Sequence, residues 1–208
     1  FRQMDSPARA RGGRFQNVDY FNGGLFSNIE PIELTKPEIA LLHEAALEDW
    51  SRVQPAVFGA LFEGSMGREE RHAFGAHFTS EADIMKVVRP TIERPWLERI
   101  EAAKTLKELN ALRQELLGFQ VLDPACGCGN FLYVAYREMR RLEMRILTRI
   151  HLEFGKKARA EAGTRPLLSL KQFHGLDING FAVELAKVTL MLGREQGIEE
   201  TRDLLASG

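Results

Sequence analysis

The amino-acid sequence predicts an α/β fold, the opening portion of a parallel sheet preceded by a helical region, on three observations. A short apolar strand, Phe119-Gln120-Val121-Leu122-Asp123, runs straight into a loop with glycines at 127 and 129. One long helical pattern follows from Asn130 to Ile150. A second strand, Gln172-Phe173-His174-Gly175-Leu176-Asp177, then leads into a helix marked by Phe181, Leu185, Val188 and Leu192. Strand, glycine loop, helix, strand, helix is how a parallel sheet begins, joined by a right-handed crossover.

Upstream, residues 1–36 read as an irregular arm rich in Arg, Gly and Ser, with one anchored turn around Tyr20-Phe21-Asn22-Gly23-Gly24-Leu25-Phe26. Residues 37–117 read as helical. Ile39, Leu42, Ala46, Trp50 and Val53 recur at three- and four-residue steps, and Pro55 suits the first turn of a helix carrying Phe58, Leu61 and Phe62. Thr79 or Ser80 caps a short helix over 81–88, and Leu97, Ile100, Leu106, Leu109, Leu112 and Leu116 trace one or two amphipathic helices. All of these read as packing stripes. Residues 118–208 form the partial α/β core.

Composition bounds the function. With 208 residues, 44% hydrophobic and 27% charged, the chain makes one ordinary domain with some to spare and is not disordered as a whole. It has no uninterrupted apolar run of about 18 residues and no leader pattern, so the expectation is a cytoplasmic protein without a membrane partner. Because the first residue is Phe1, the chain is expected to be a piece of a longer one. Cys126 and Cys128 are too close to brace a fold and lack further ligands for zinc, so they read as free thiols and no metal site is expected. The net charge of −1 neither demands nor excludes a polyanion. Between Arg137 and Arg165 nine bases face four acids, which fits either a nucleic-acid face or, preferably, a solvated helix surface with its own ion pairs.

The loop after Val121 lies at the carboxyl end of a strand, where open sheets bind ligands, and its two glycines let the backbone pass close beneath one. It reads as a cofactor site. A dinucleotide is disfavoured, because that fingerprint wants a small third residue where Leu132 stands. Asp177 ends the second strand, where a carboxylate accepts both ribose hydroxyls of an adenosine; the competing reading makes it a helix cap for the segment beginning near Asn179. It lies 54 residues beyond Asp123, a spacing too long to have identified it alone.

Asp123-Pro124-Ala125-Cys126-Gly127-Cys128-Gly129-Asn130-Phe131-Leu132 resembles the S-adenosylmethionine-binding motif of amino-group DNA methyltransferases, especially N6-adenine enzymes. Gly75-Ala76-His77-Phe78-Thr79-Ser80 is similar to the family's upstream cofactor segment, and Phe173-His174-Gly175-Leu176-Asp177-Ile178-Asn179 to the strand that ends in the ribose-binding acid. The Asn22-Gly23-Gly24-Leu25-Phe26 segment resembles one that precedes the methyltransferase core in large fused type II restriction–modification and phage-defence proteins. Cys128 stands where the family most often has serine.

The resemblance implies a Rossmann-like methyltransferase fold, truncated here, with S-adenosylmethionine as cofactor. It implies cofactor contacts from Phe78, Thr79, Asp123, Pro124, Ala125, Gly127, Gly129, Asn130, Phe131, Asp177 and Ile178, the last against adenine. DNA is the implied partner, through the full-length protein. The family grips the target adenine with an Asn/Asp/Ser-Pro-Pro-aromatic segment, and no Pro-Pro occurs in the 208 residues. The chain is therefore expected to hold no catalytic residues and to be inactive alone, the missing segment following Gly208. The alternatives are a non-catalytic binding or scaffold module that keeps the fold, and a methyltransferase acting on RNA or protein nitrogen.

Overall fold

The structure is a computed structural model that describes residues 4, 6–8, 12–13, 16–18, 20, 23–26, 32–49, 53–67, 69, 79–163 and 166–206. The chain divides into two compact units, Phe1–Gln54 and Pro55–Gly208.

The first unit holds a single helical turn, α1 (Gly23–Phe26), and a helix, α2 (Lys36–Leu47). Pro37 sits in the first turn of α2, and the Glu38 carboxylate accepts from the Thr35 backbone N–H and hydroxyl, both at 2.7 Å. The helix forms where the periodicity predicts it, but its stripe is not packed. Ile39 and Leu42 are 53% and 58% exposed and no residue of α2 is buried. Trp50, from the same stripe, lies outside the described residues.

The second unit begins with α3 (Ala56–Ser65), entered through Pro55 as expected. After it α4 (Glu81–Val88) is capped by Ser80, whose hydroxyl oxygen accepts from the Asp83 N–H. A π-helical turn, Arg89–Glu93, carries α4 without a break into α5 (Arg94–Ala102). Pro90 and Pro95 each withdraw one backbone donor there, and the widened turn accommodates them. Next comes α6 (Leu106–Gly118), started by a reciprocal Thr105–Glu108 cap, so the leucine pattern of 97–116 resolves into two helices.

Among the described residues the sheet has two parallel strands, β1 (Val121–Asp123) and β2 (Phe173–Gly175), in the register Val121↔Phe173, Leu122↔His174 and Asp123↔Gly175. Both are shorter than the sequence suggests, and at the start of β2 the Gln172 backbone N–H donates to the Ser169 carbonyl in a 3-10 turn instead of joining the ladder. The Gln172 side-chain amide donates to the carbonyls of Leu116 and Phe119 and accepts from the Ser169 N–H, which ties the strand entrances to α6. Between the strands runs α7 (Asn130–Ala162), two helices joined at Gly155, whose φ of 79° is non-helical. A 3-10 turn, Leu170–Gln172, leads into β2, and α8 (Gly180–Ala206) closes the chain.

The core forms around α7. Met139, Ile146 and Ile150 of α7 and Ile100, Leu109 and Leu116 of α5 and α6 are fully buried. Each such side chain is worth about 1.5–3 kcal/mol by removal from water. Tyr136 meets Phe173 of β2 edge-on at 5.5 Å, which seats the sheet on this helix. Glu143, also fully buried, accepts from Arg113 on α6 and from the backbone N–H groups of Leu167 and Leu168. Arg113 reaches the Ala162 carbonyl as well, so one buried ion pair clamps both ends of the connection into β2.

The arginines of α7 from Arg137 to Arg149 do not form a free cationic face. Arg137 pairs with Glu81 and Glu138, Arg141 with Glu138, Arg145 with Glu101, and Arg149 with Glu153. Arg140 is buried against the Gly197 carbonyl and the Thr201 hydroxyl. Two of the balancing acids, Glu81 and Glu101, come from α4 and α5, outside the window over which the sequence excess is counted.

Candidate functional site

The loop from Asp123 to Asn130 leaves the carboxyl end of β1 and is held by its own backbone. Asp123 Oδ1 accepts from the Ala125 N–H at 3.0 Å, an Asx turn that starts the reversal. The Cys126 N–H donates to the Leu176 carbonyl and the Leu176 N–H to the Asp123 carbonyl, both at 2.9 Å, so the ends of the two strands are stitched together. The Gly129 N–H donates to the Cys126 carbonyl, and the Tyr133 N–H to the Gly129 carbonyl, which turns the loop into the first turn of α7.

The two loop glycines do different work. Both have left-handed backbones, Gly127 at φ 49° and Gly129 at φ 83°. A Cβ on Gly129 would meet the Cα and Cβ of Ala186 on α8 at 2.9 Å. Gly129 is thus a packing contact between loop and helix. A Cβ on Gly127 would meet nothing within 4 Å, so its open side is free for a ligand. Gly175 carries a third constraint, since a Cβ there would stand 2.7 Å from Cys126 Sγ.

Asp177, two residues beyond the end of β2, reaches across this loop, and its Oδ2 accepts from the Gly127 N–H at 2.9 Å. Its Oδ1 accepts from the Asn179 N–H at 2.8 Å. The cap of α8 is Asn179, whose Oδ1 accepts from the N–H groups of Phe181 and Ala182, so Asp177 is not the helix cap. Ile178 beside it is 80% exposed, an apolar side chain standing at the mouth of the loop. Pro124 and Ala125 are exposed and Asn130 is half-buried. Phe131 points into the core, where it packs against the buried cluster.

Thr79 is half-buried just before the cap of α4, whereas Phe78 and the rest of the Gly75–Phe78 segment lie outside the described residues. Cys126 and Cys128 are free thiols, and no metal-holding group of three or more ligands occurs among the described residues. Burial, aided by the charges of Asp123 and Asp177, pushes the Cys126 thiol up to about 11. Burial, with Asp177, Cys126 and Glu63, does the same to Cys128. Neither thiol is a nucleophile at neutral pH.

Two contributors to the site carry no signal in the motif. One is Ala186, small because Gly129 packs on it. The other is α3, which lies on the loop through Gly59; an isolated glycine within a helical pattern was the available hint.

Residues 98–206, more than half of the chain, match the family model described as MmeI, DNA-methyltransferase domain. The chain belongs to this family. Among curated relatives, DNA methyltransferase A of Bacillus subtilis (strain 168) is 32% identical over 189 residues, covering 88% of this chain and 21% of that protein. A putative type II restriction enzyme and methyltransferase of Methanocaldococcus jannaschii is 25% identical, covering 89% of this chain and 19% of its own length. Among solved structures, the Type IIL restriction-modification enzyme MmeI in complex with DNA superimposes with a TM-score of 0.79 at 32% identity, over 96% of this chain and 27% of that one. The chain therefore spans about a fifth to a quarter of the length of these relatives, and its glycine loop and Asp177 lie inside the matched methyltransferase domain. No helix among the described residues is long and apolar enough to cross a membrane.

Proposed function

We propose that this chain is the S-adenosylmethionine-binding portion of a DNA methyltransferase that modifies adenine N6 within a restriction–modification or phage-defence protein. The observation that carries the reading is the pairing of Gly127, whose side toward open space would accept a ligand, with Asp177, just beyond the end of the neighbouring strand and across the same loop. The fit is chemical as well as spatial. Asp177 takes one N–H bond on each oxygen, which leaves each a further lone pair for a ribose hydroxyl. Ile178 offers an exposed apolar surface to an adenine ring.

When bound, S-adenosylmethionine supplies a sulfonium methyl for attack by an exocyclic amine. The chain's own residues contribute position: the Asx turn at Asp123 and the left-handed Gly127 fix the loop, Asp177 orients the nucleoside, and Phe131 anchors the start of α7 in the core. The base-gripping Pro-Pro segment is absent from these 208 residues, so methyl transfer draws on the rest of the protein, and so does binding of DNA.

Calorimetric titration of S-adenosylmethionine into the protein and into Asp177→Ala tests the reading. Two charge-assisted hydrogen bonds end on that carboxylate, so the variant weakens binding at least tenfold. Equal affinities would remove the ribose assignment.

A further inference from the structure

Helix α3, a packing stripe by its sequence, roofs the glycine loop. Gly59 is the one buried residue of α3, and a Cβ there would stand 3.2 Å from Cys128 Cβ and 3.4 Å from Asn130 Nδ2. Three residues on, Phe62 tilts against Phe181 of α8 with ring centroids 5.0 Å apart. These two contacts fix the rotation of α3 about its axis. Glu63 lies four residues beyond Gly59 and so shares its face, over the same loop. It is half-buried, and no cation pairs with it among the described residues. Its charge reaches Cys128, where it adds to the rise of that thiol. Beneath Gly59 the buried Asn130 Oδ1 has no hydrogen-bond partner among the described residues, a second acceptor without a donor in the same place.

We infer that Glu63 is a specificity-determining residue of the methyl-donor site, its carboxylate favouring the cationic donor over the neutral product. The inference rests on the S-adenosylmethionine reading above. The donor carries a sulfonium, an ammonium and a carboxylate, and is a net cation. Loss of the methyl leaves a thioether, so S-adenosylhomocysteine has no net charge. A carboxylate facing the loop attracts the first more than the second and lets the spent product leave. Because α3 is pinned through Gly59 and Phe62, the charge is held in place and needs no reorganisation when the donor arrives.

The test is calorimetric titration of S-adenosylmethionine and S-adenosylhomocysteine into the full-length protein, with Glu63→Gln, Glu63→Asp and Asp177→Ala alongside. Glu63→Gln is expected to weaken the donor about tenfold and the product less than about twofold, with Glu63→Asp recovering most of the loss. A purely structural role would weaken both ligands together, and that result, or no change in either, overturns the inference. Should Glu63→Gln not fold, added salt in the wild type must weaken the donor more than the product; a parallel loss overturns the inference as well. Asp177→Ala separates the two levels. If the wild type binds and Asp177→Ala weakens both ligands while Glu63→Gln is unselective, only the role of Glu63 falls. If the folded wild type binds neither ligand, the donor-site reading falls and takes this one with it.

Discussion

Alanine at each of the two loop glycines separates fold from site. At Gly127 the new methyl meets nothing within 4 Å, so the cost is only that of holding an L-residue at φ 49°, about 1–2 kcal/mol. At Gly129 the same backbone cost applies at φ 83°, and the methyl also lands 2.9 Å from both the Cα and Cβ of Ala186. Forcing a methyl into a packed contact adds about 1–3 kcal/mol, so Gly129→Ala loses about 2–5 kcal/mol in all. Measured by urea midpoint, Gly129→Ala falls well below Gly127→Ala. Removing Ala186 Cβ does not rescue it, because the α8 backbone itself stands equally close. Ligand binding follows the opposite order: Gly127→Ala stays folded and loses at least tenfold in S-adenosylmethionine affinity, since its methyl occupies the open side of the loop. Equal stabilities for the two variants, or wild-type affinity in a folded Gly127→Ala, would refute the division of roles.

Arg113→Ala strands a fully buried Glu143 and costs about 3–5 kcal/mol by urea titration, whereas Arg145→Ala, in an exposed pair with Glu101, costs less than about 1 kcal/mol. The two thiols give a pH signature. Their folded values of about 11 lie above the ordinary 9.0, so the stability they contribute is complete below about pH 9 and is lost as pH rises toward 11. A Cys126→Ala, Cys128→Ser variant compared with wild type across that range shows a shallower alkaline decline, and an identical decline would contradict the assignment. Cys128→Ser alone keeps both fold and ligand binding, because only a small side chain is needed beneath Gly59.

What the sequence determined by itself was local. Glycines at 127 and 129 next to an Asp-Pro start, an apolar run on either side, and an acid at the end of the second run are patterns along the chain, and they located the loop, the helix after it and Asp177. Pro55, and Thr79 or Ser80, marked helix starts because the first turn of a helix is settled within about four residues. What only the tertiary structure decided depends on residues far apart in the chain. Arg137 and Arg145 of α7 are paired by Glu81 and Glu101, which come to them from other helices. Asp177 and Asn179 are both polar residues before a helix, and only the hydrogen bonds divide them into a loop acceptor and a cap. Gly127 and Gly129 are identical in sequence and differ because α8 approaches one of them. Glu63 acquired a role when Gly59 let its helix down onto the loop, a close approach set by packing between segments about seventy residues apart.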